Sequence, residues 1–292
     1  MATIIPALLA AALICLLGSV ALFVGGSLLR FAGAARLALS EGINVEAGPS
    51  GRGPATSVVH LGIVLGLALA VIALLLRTIV TGHAPWSNLH EFSAAFGASV
   101  MAVYLFVDGG QRIRGLAPAV AIIAAALLGL SLALDSRIDP LVPALQQPLL
   151  LTVHVGAAML AYAISAVAFA AAGGELLQRF SGGTIRWLPT ADASRAAANR
   201  SVVLAFPVLT VAIVLGSVWA NLAWRSYWSN DPKELAAAAT WLVYGAYLHV
   251  AGRRDRWARL APWLLVLGFV GVLFTYLGAG LIFVGEHSYA NP

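Results

Sequence analysis

Charge is what this sequence has least of. Of its 292 residues only 10% are Asp, Glu, Lys or Arg and 61% are hydrophobic, whereas a soluble globular domain carries about 25% charged residues. That balance excludes a soluble class and points to a membrane protein. Cysteine is scarcer still. Cys15 stands alone in the middle of the first apolar run, so the chain has no CxxC pair, no internal disulfide and no dithiol chemistry of its own. The absence of CxxCH excludes a c-type cytochrome. Lys and Arg are missing from Met1 to Pro6, so the first run lacks the basic flank of a signal peptide and is expected to persist as a span. The formal charge of +5 does not signal nucleic acid, because the basic residues sit in short loops between apolar runs rather than along one solvated face.

What the sequence does supply is apolar length. A helix needs about 20 apolar residues to cross a hydrocarbon core of about 30 Å. Runs fall near 4–29, 57–79, 88–107, 116–135, 148–173, 201–219, 233–251 and 261–285. We therefore expect an all-α polytopic bundle of about eight transmembrane helices, with residues 1–292 forming one domain. The loops after odd-numbered runs hold Arg30, Arg36 and Arg52, then Arg112 and Arg114, then Arg179, Arg186, Arg195 and Arg200, and finally Arg253, Arg254, Arg256 and Arg259. Loops after even-numbered runs hold only Arg137, Arg225 and Lys233. The positive-inside rule then puts the N-terminus and the C-terminus both outside. Two long inner segments, 30–56 and 174–200, lack periodicity and read as flexible or weakly helical connections.

The most informative stretch runs from Trp219 to Glu234. It places Trp219, Trp224 and Trp228 within ten positions, interleaved with Asn221, Arg225, Tyr227 and Asp231. Indole and phenol rings offer flat apolar faces with one polar edge, which suits stacking on a porphyrin. The plain alternative is an interfacial aromatic belt, made less economical by the density of the segment. Its Asp231-Pro232-Lys233-Glu234 end has a structural account as a capping box that starts the seventh helix.

The histidines give the segment its meaning. His154 lies about six residues into the fifth run from its outer end, followed by Gly156, Ala157, Ala158 and Ala161, small residues that leave room for a planar macrocycle. His287 follows the eighth run on the same side, so the two imidazoles are candidate axial ligands of one haem iron. His249 lies 17 residues after Pro232, about 25 Å deeper at 1.5 Å per residue, with Gly245 and Trp241 on its helical face. It belongs to a separate inner site, for which His60 is a possible partner. His83 and His90 are more economically read as interfacial histidines.

These residues carry a resemblance. The signature WANxxWGxYWxWDPKE of the CcsA/ResC family of cytochrome c synthase subunits, within the larger group of Trp-rich haem-handling proteins, is matched by Trp219, Ala220, Asn221, Trp224, Tyr227, Trp228, Asp231, Pro232, Lys233 and Glu234. Two positions depart from it: Arg225 replaces a glycine and Asn230 replaces the signature Trp that precedes the Asp. The resemblance covers about residues 55–292. It implies His154 and His287 as outer haem ligands and His249 as a transmembrane one, with non-covalently bound haem b as substrate or cofactor. Arg225 becomes a candidate partner for a propionate. It further implies a ResB/CcsB-like membrane partner, an apocytochrome c bearing CxxCH, and a thiol-reducing protein. The expected activity is that of a holocytochrome c synthase of the haem lyase type: haem transport to the outer face and its presentation for thioether attachment. The expected location is the bacterial cytoplasmic membrane, or a thylakoid membrane. A haem carrier or exporter without synthase activity is a second reading, and a non-haem secondary transporter with proton-relaying histidines is a third. For the topology, a reporter enzyme that works only outside the membrane, fused after Pro292, should be active, and a cytoplasm-dependent reporter at the same point should be silent.

Overall fold

Proline and polar caps punctuate the helices. In the computed structural model, which describes residues 3–41, 54–111, 113–138, 141, 148–253, 256–278 and 282–283, these are α1 (Ile4–Glu41), α2 (Pro54–Thr81), α3 (Leu89–Gln111), α4 (Ala117–Ala133), α5 (Pro148–Phe180), α6 (Ala191–Trp224), α7 (Pro232–Ala251) and α8 (Ala261–Leu273). Pro54, Pro118, Pro148, Pro232 and Pro262 occupy the first or second position of their helices, where the missing N–H costs nothing and the fixed φ is already helical. Thr190 caps α6 by accepting from the Ala193 N–H at 3.2 Å. No strand occurs among the described residues, as a bilayer requires of anything but a closed barrel.

Among the described residues the expected eight helices are present, and seven are long and apolar enough to cross a membrane. The exception is α7, whose 20 residues mix the charges at its start with Thr240, Trp241, Tyr244, Tyr247 and His249. The segment 174–200 is not the loose connection its composition suggested. The helix α5 continues to Phe180 and α6 already begins at Ala191, so each is about 50 Å long at 1.5 Å per residue. Between them the chain is pinned by Gln178, whose side-chain amide reaches the carbonyls of Ile185 at 2.9 Å and Pro189 at 3.0 Å. The buried Glu175 accepts from Arg195 Nε at 2.8 Å and pairs with Arg179. These tertiary contacts outweigh weak local periodicity.

Lipid offers no hydrophobic force between helices, so close packing of small side chains must hold the bundle. The core helix α5 supplies it with a buried run that includes Ala161, Ala163, Ala166, Ala168, Ala170, Ala171 and Ala172, and α6 is its most extensive partner while α3 and α8 pack beside it. The α7–α8 pair is as close: a Cβ on Gly268 would collide with the ring of Tyr244.

One buried ion pair braces the end of the bundle where α2 meets α3 and α4 meets α5. Arg77 donates through Nε to Glu91 Oε1 at 2.7 Å and through Nη1 to the Ser136 carbonyl at 2.8 Å. The second Glu91 oxygen accepts from the Ser87 N–H at 3.0 Å and from its hydroxyl at 2.8 Å. Both partners are almost wholly buried, at 5% and 1% exposure. Arg77→Met therefore leaves a buried carboxylate unpaired and should cost about 3–5 kcal/mol. A thermal melt in detergent should show that loss, and the double variant Arg77→Met/Glu91→Met should recover most of it.

Candidate functional site

At this braced end the helices leave a cavity of about 230 Å³. Its walls come from the 86–92 segment, from α5, from α6, from the stretch after α6, from the start of α7, and from the last turn that follows α8. That last turn, Phe274–Gly278, is a π-helical turn following α8, a feature that often re-aims side chains at functional sites. Here it brings Thr275 and Tyr276 to the wall, with Tyr276 stacked on Phe92 at 5.3 Å between ring centroids.

His154 lines this cavity. Its Nδ1 lies 2.9 Å from the Ala212 carbonyl oxygen of α6. A carbonyl only accepts, so Nδ1 carries a proton, and in the neutral form of this tautomer the lone pair lies on Nε2. The imidazole lies parallel to the indole of Trp219, 11° between planes and 6.1 Å between centroids, and Trp219 meets Trp224 edge to face at 4.7 Å. The imidazole fits against α6 because position 216 is glycine: a Cβ there would stand 2.6 Å from His154 Cε1.

The Trp-rich segment divides in two. Trp219 is the buried part, and Tyr227 and Trp228 line the cavity while remaining exposed on their other sides. The chain turns out of α6 at Arg225, which adopts φ 60° with its N–H bonded to the Asn221 carbonyl at 3.0 Å. This is the left-handed cap position that glycine fills best, and it gives the signature glycine a backbone reason. Asn230 also has φ 60°, a conformation Asn tolerates, and its Oδ1 accepts from the Trp228 indole N–H at 2.9 Å. Where the signature has its last Trp, this chain has a side chain that orients Trp228.

The Asp231 to Glu234 end forms the capping box expected of it. Asp231 Oδ1 accepts from the Lys233 N–H at 2.8 Å, and Glu234 Oε2 accepts from the N–H groups of Asp231 at 3.2 Å and Ser229 at 2.8 Å. The carboxylates thus secure the loop carrying Tyr227 and Trp228, and Lys233 and Glu234 reach the cavity wall.

Of the residues singled out in the sequence, the cavity wall gathers His154, Trp219, Tyr227 and Trp228. Trp224 packs behind it on Leu151 and Trp219. Asn221, Arg225 and Asp231 serve the turn and the cap rather than the wall. His287 lies outside the described residues. His249 is exposed in the last turn of α7, away from the cavity. The face it shares with Trp241 and Gly245 is already met by α6: Phe206 stacks on Trp241 at 5.1 Å and would touch a Cβ on Gly245 at 3.6 Å. His60 belongs to a polar cluster between α2 and α3, 3.4 Å from Asp108 and edge-on to Tyr104, with Arg114 on the same carboxylate. His90 is a packing histidine, bonded through Nδ1 to the Ser131 carbonyl of α4 at 2.8 Å.

Sequence reasoning missed Trp86, Phe92, Tyr162, Tyr276, Lys233 and Gly216 as parts of this site. The aromatic residues are scattered singly through apolar runs, where nothing distinguishes a wall from a core. Only Trp86, beside Ser87 and Asn88 at the start of the third run, stood in a polar context that could have marked it.

The family pattern described as "Cytochrome C assembly protein" matches residues 86–287, from Trp86 of the cavity to His287. The chain belongs to that family. Proteins named cytochrome c biogenesis protein CcsA are similar along most of it. The Synechococcus protein is 34% identical over 272 residues, covering 82% of this chain and 86% of the relative. The Microcystis aeruginosa protein is 35% identical over 282 residues, covering 77% and 86%. The Gloeobacter violaceus protein reaches 48% over 90 residues, covering 31% and 27%. Membership carries a role in cytochrome c maturation, and hence in haem handling, for an integral membrane protein. In this family member the left-handed cap at Arg225 strains a non-glycine residue by about 1 kcal/mol. Arg225→Gly should raise stability by about that amount, read as a higher thermal midpoint with unchanged helicity.

Proposed function

We propose that this chain receives haem in the cavity at the α2–α3 and α6–α7 end and presents it for covalent attachment to apocytochrome c. One observation carries the reading: the His154 imidazole, its Nδ1 held by the Ala212 carbonyl, lies on the wall of a cavity that Trp86, Trp219, Tyr227 and Trp228 also line. An iron-ligating histidine needs its other nitrogen committed to a carbonyl or carboxylate, which fixes the tautomer and the ring plane. Flat aromatic walls complement a flat macrocycle. The residues present therefore fit haem b as substrate.

His154 would hold the iron, with His287 as the second outer ligand. Tyr227 and Trp228, exposed on one side and facing the cavity on the other, would bear one face of the ring where a CxxCH segment can approach. When bound, haem supplies the reactive vinyl groups. Each cysteine thiol adds across one vinyl group, with S–C bond formation at one carbon and hydrogen delivered to the other, and no net oxidation. This chain's part is positioning and exclusion of water.

His249, exposed near the opposite end of α7, would face a histidine of a ResB/CcsB-like partner helix at an inner haem site. Haem would move from there to the outer cavity. The outward orientation of the cavity rests on the arginine-rich loops of the other end.

The test is to express this chain with its candidate partner and a CxxCH reporter, and to purify the membrane complex. A Soret band and covalent haem on the reporter are expected. A Soret band without covalent haem would mark a carrier, and no Soret band would remove haem from the reading. Gly216→Ala, which displaces the His154 ring, should weaken haem retention about tenfold, the effect of losing one hydrogen bond of about 1–1.5 kcal/mol. His154→Gly should lose its ligand signature and regain it with added imidazole.

A further inference from the structure

The cavity is not uniformly apolar. Lys233 is the single cationic side chain among the described residues that line it, and Glu234 is the single carboxylate. Glu234 is spent on the cap, where its Oε2 collects the N–H groups of Ser229 and Asp231 and the Ser229 hydroxyl. Asp231, the other carboxylate of this turn, accepts from the Lys233 backbone N–H. The Lys233 ammonium has neither a hydrogen bond nor an ion pair with any described residue. It nevertheless sits in the first turn of α7, on the wall of the same cavity that Trp219, Trp228 and residues of α6 line. The neighbouring Asp231 carboxylate, already committed through Oδ1 to the cap, is the charge that favours this cation; burial still makes a cation costly, and an anionic ligand group lowers that cost. The N-terminal end of the α7 dipole favours the same sign of ligand.

Arg225, which its place in the signature marks as a propionate partner, is exposed at the left-handed cap and is not on the cavity wall. We infer that Lys233 is the carboxylate anchor of this site, fixing a propionate edge of the porphyrin at the start of α7 while His154 holds the iron. This rests on the haem reading given above. Two fixed points, one at the metal and one at the rim, define the rotation of the macrocycle in its plane. Lys233 is thus a positioning residue for vinyl presentation, not a catalytic one.

The experiment compares haemin with haemin dimethyl ester, whose propionates carry no charge, in titrations of the purified full chain followed at the Soret band. Wild type should bind the free acid about tenfold to hundredfold more tightly, the range for a charge-assisted contact. Lys233→Met and Lys233→Gln should abolish that preference and keep the His154 ligand spectrum, and Lys233→Arg should restore most of it. Helicity by circular dichroism identifies a misfolded variant, and the Gln variant then carries the comparison. Equal affinity of wild type for both porphyrins, or a full preference retained without Lys233, would overturn the assignment. A wild type that shows no Soret complex with either porphyrin rejects the haem reading itself, and the anchor with it.

Discussion

A helix carbonyl normally accepts one hydrogen bond, from the N–H four residues on, and keeps a second lone pair turned outward. In α6 the second lone pair of Ala212 is taken by His154, and this contact sets most of the cavity. It joins α5 to α6, it requires a bare backbone at Gly216, and it aligns the imidazole with Trp219. Because Trp219 is in turn held by Trp224, the orientation of one ring is transmitted to the point where α6 ends. In lipid, where apolar surface alone gives helices no reason to associate, such a contact contributes both cohesion and geometry.

Around it the polar chemistry is peripheral. Arg77 and Glu91 hold the loop that carries Trp86, Ser87 and Asn88. Asp231 and Glu234 hold the loop that carries Tyr227 and Trp228. At the opposite end Glu175 gathers Arg179 and Arg195. Each loop is thus anchored by a buried or capping carboxylate, and the aromatic groups between the anchors line the cavity.

The helix count and most helix starts were legible in the sequence because apolar length and proline placement are local signals, and the capping box at Asp231 was legible for the same reason. His154, Trp219, Tyr227 and Trp228 stood out through density and depth. The long inner extensions of α5 and α6 did not, since their stability comes from Gln178 and Glu175 reaching across to other segments. Gly216 and Tyr276 were equally hidden: the importance of the first depends on a ring from another helix, and the second reaches the wall through a π-helical turn that no periodicity announces. Arg225 was visible as an anomaly, but its left-handed backbone and its distance from the wall were not.

The π-helical turn also bears on how the molecule comes into being. Thr275 and Tyr276 close the cavity from the turn after α8, opposite residues contributed almost two hundred positions earlier. A membrane chain is threaded into the bilayer in order, so this wall does not exist until α8 and the turn after it have been inserted. A chain inserted only as far as α7 consequently has no closed cavity, and the enclosure arises with the packing of α8.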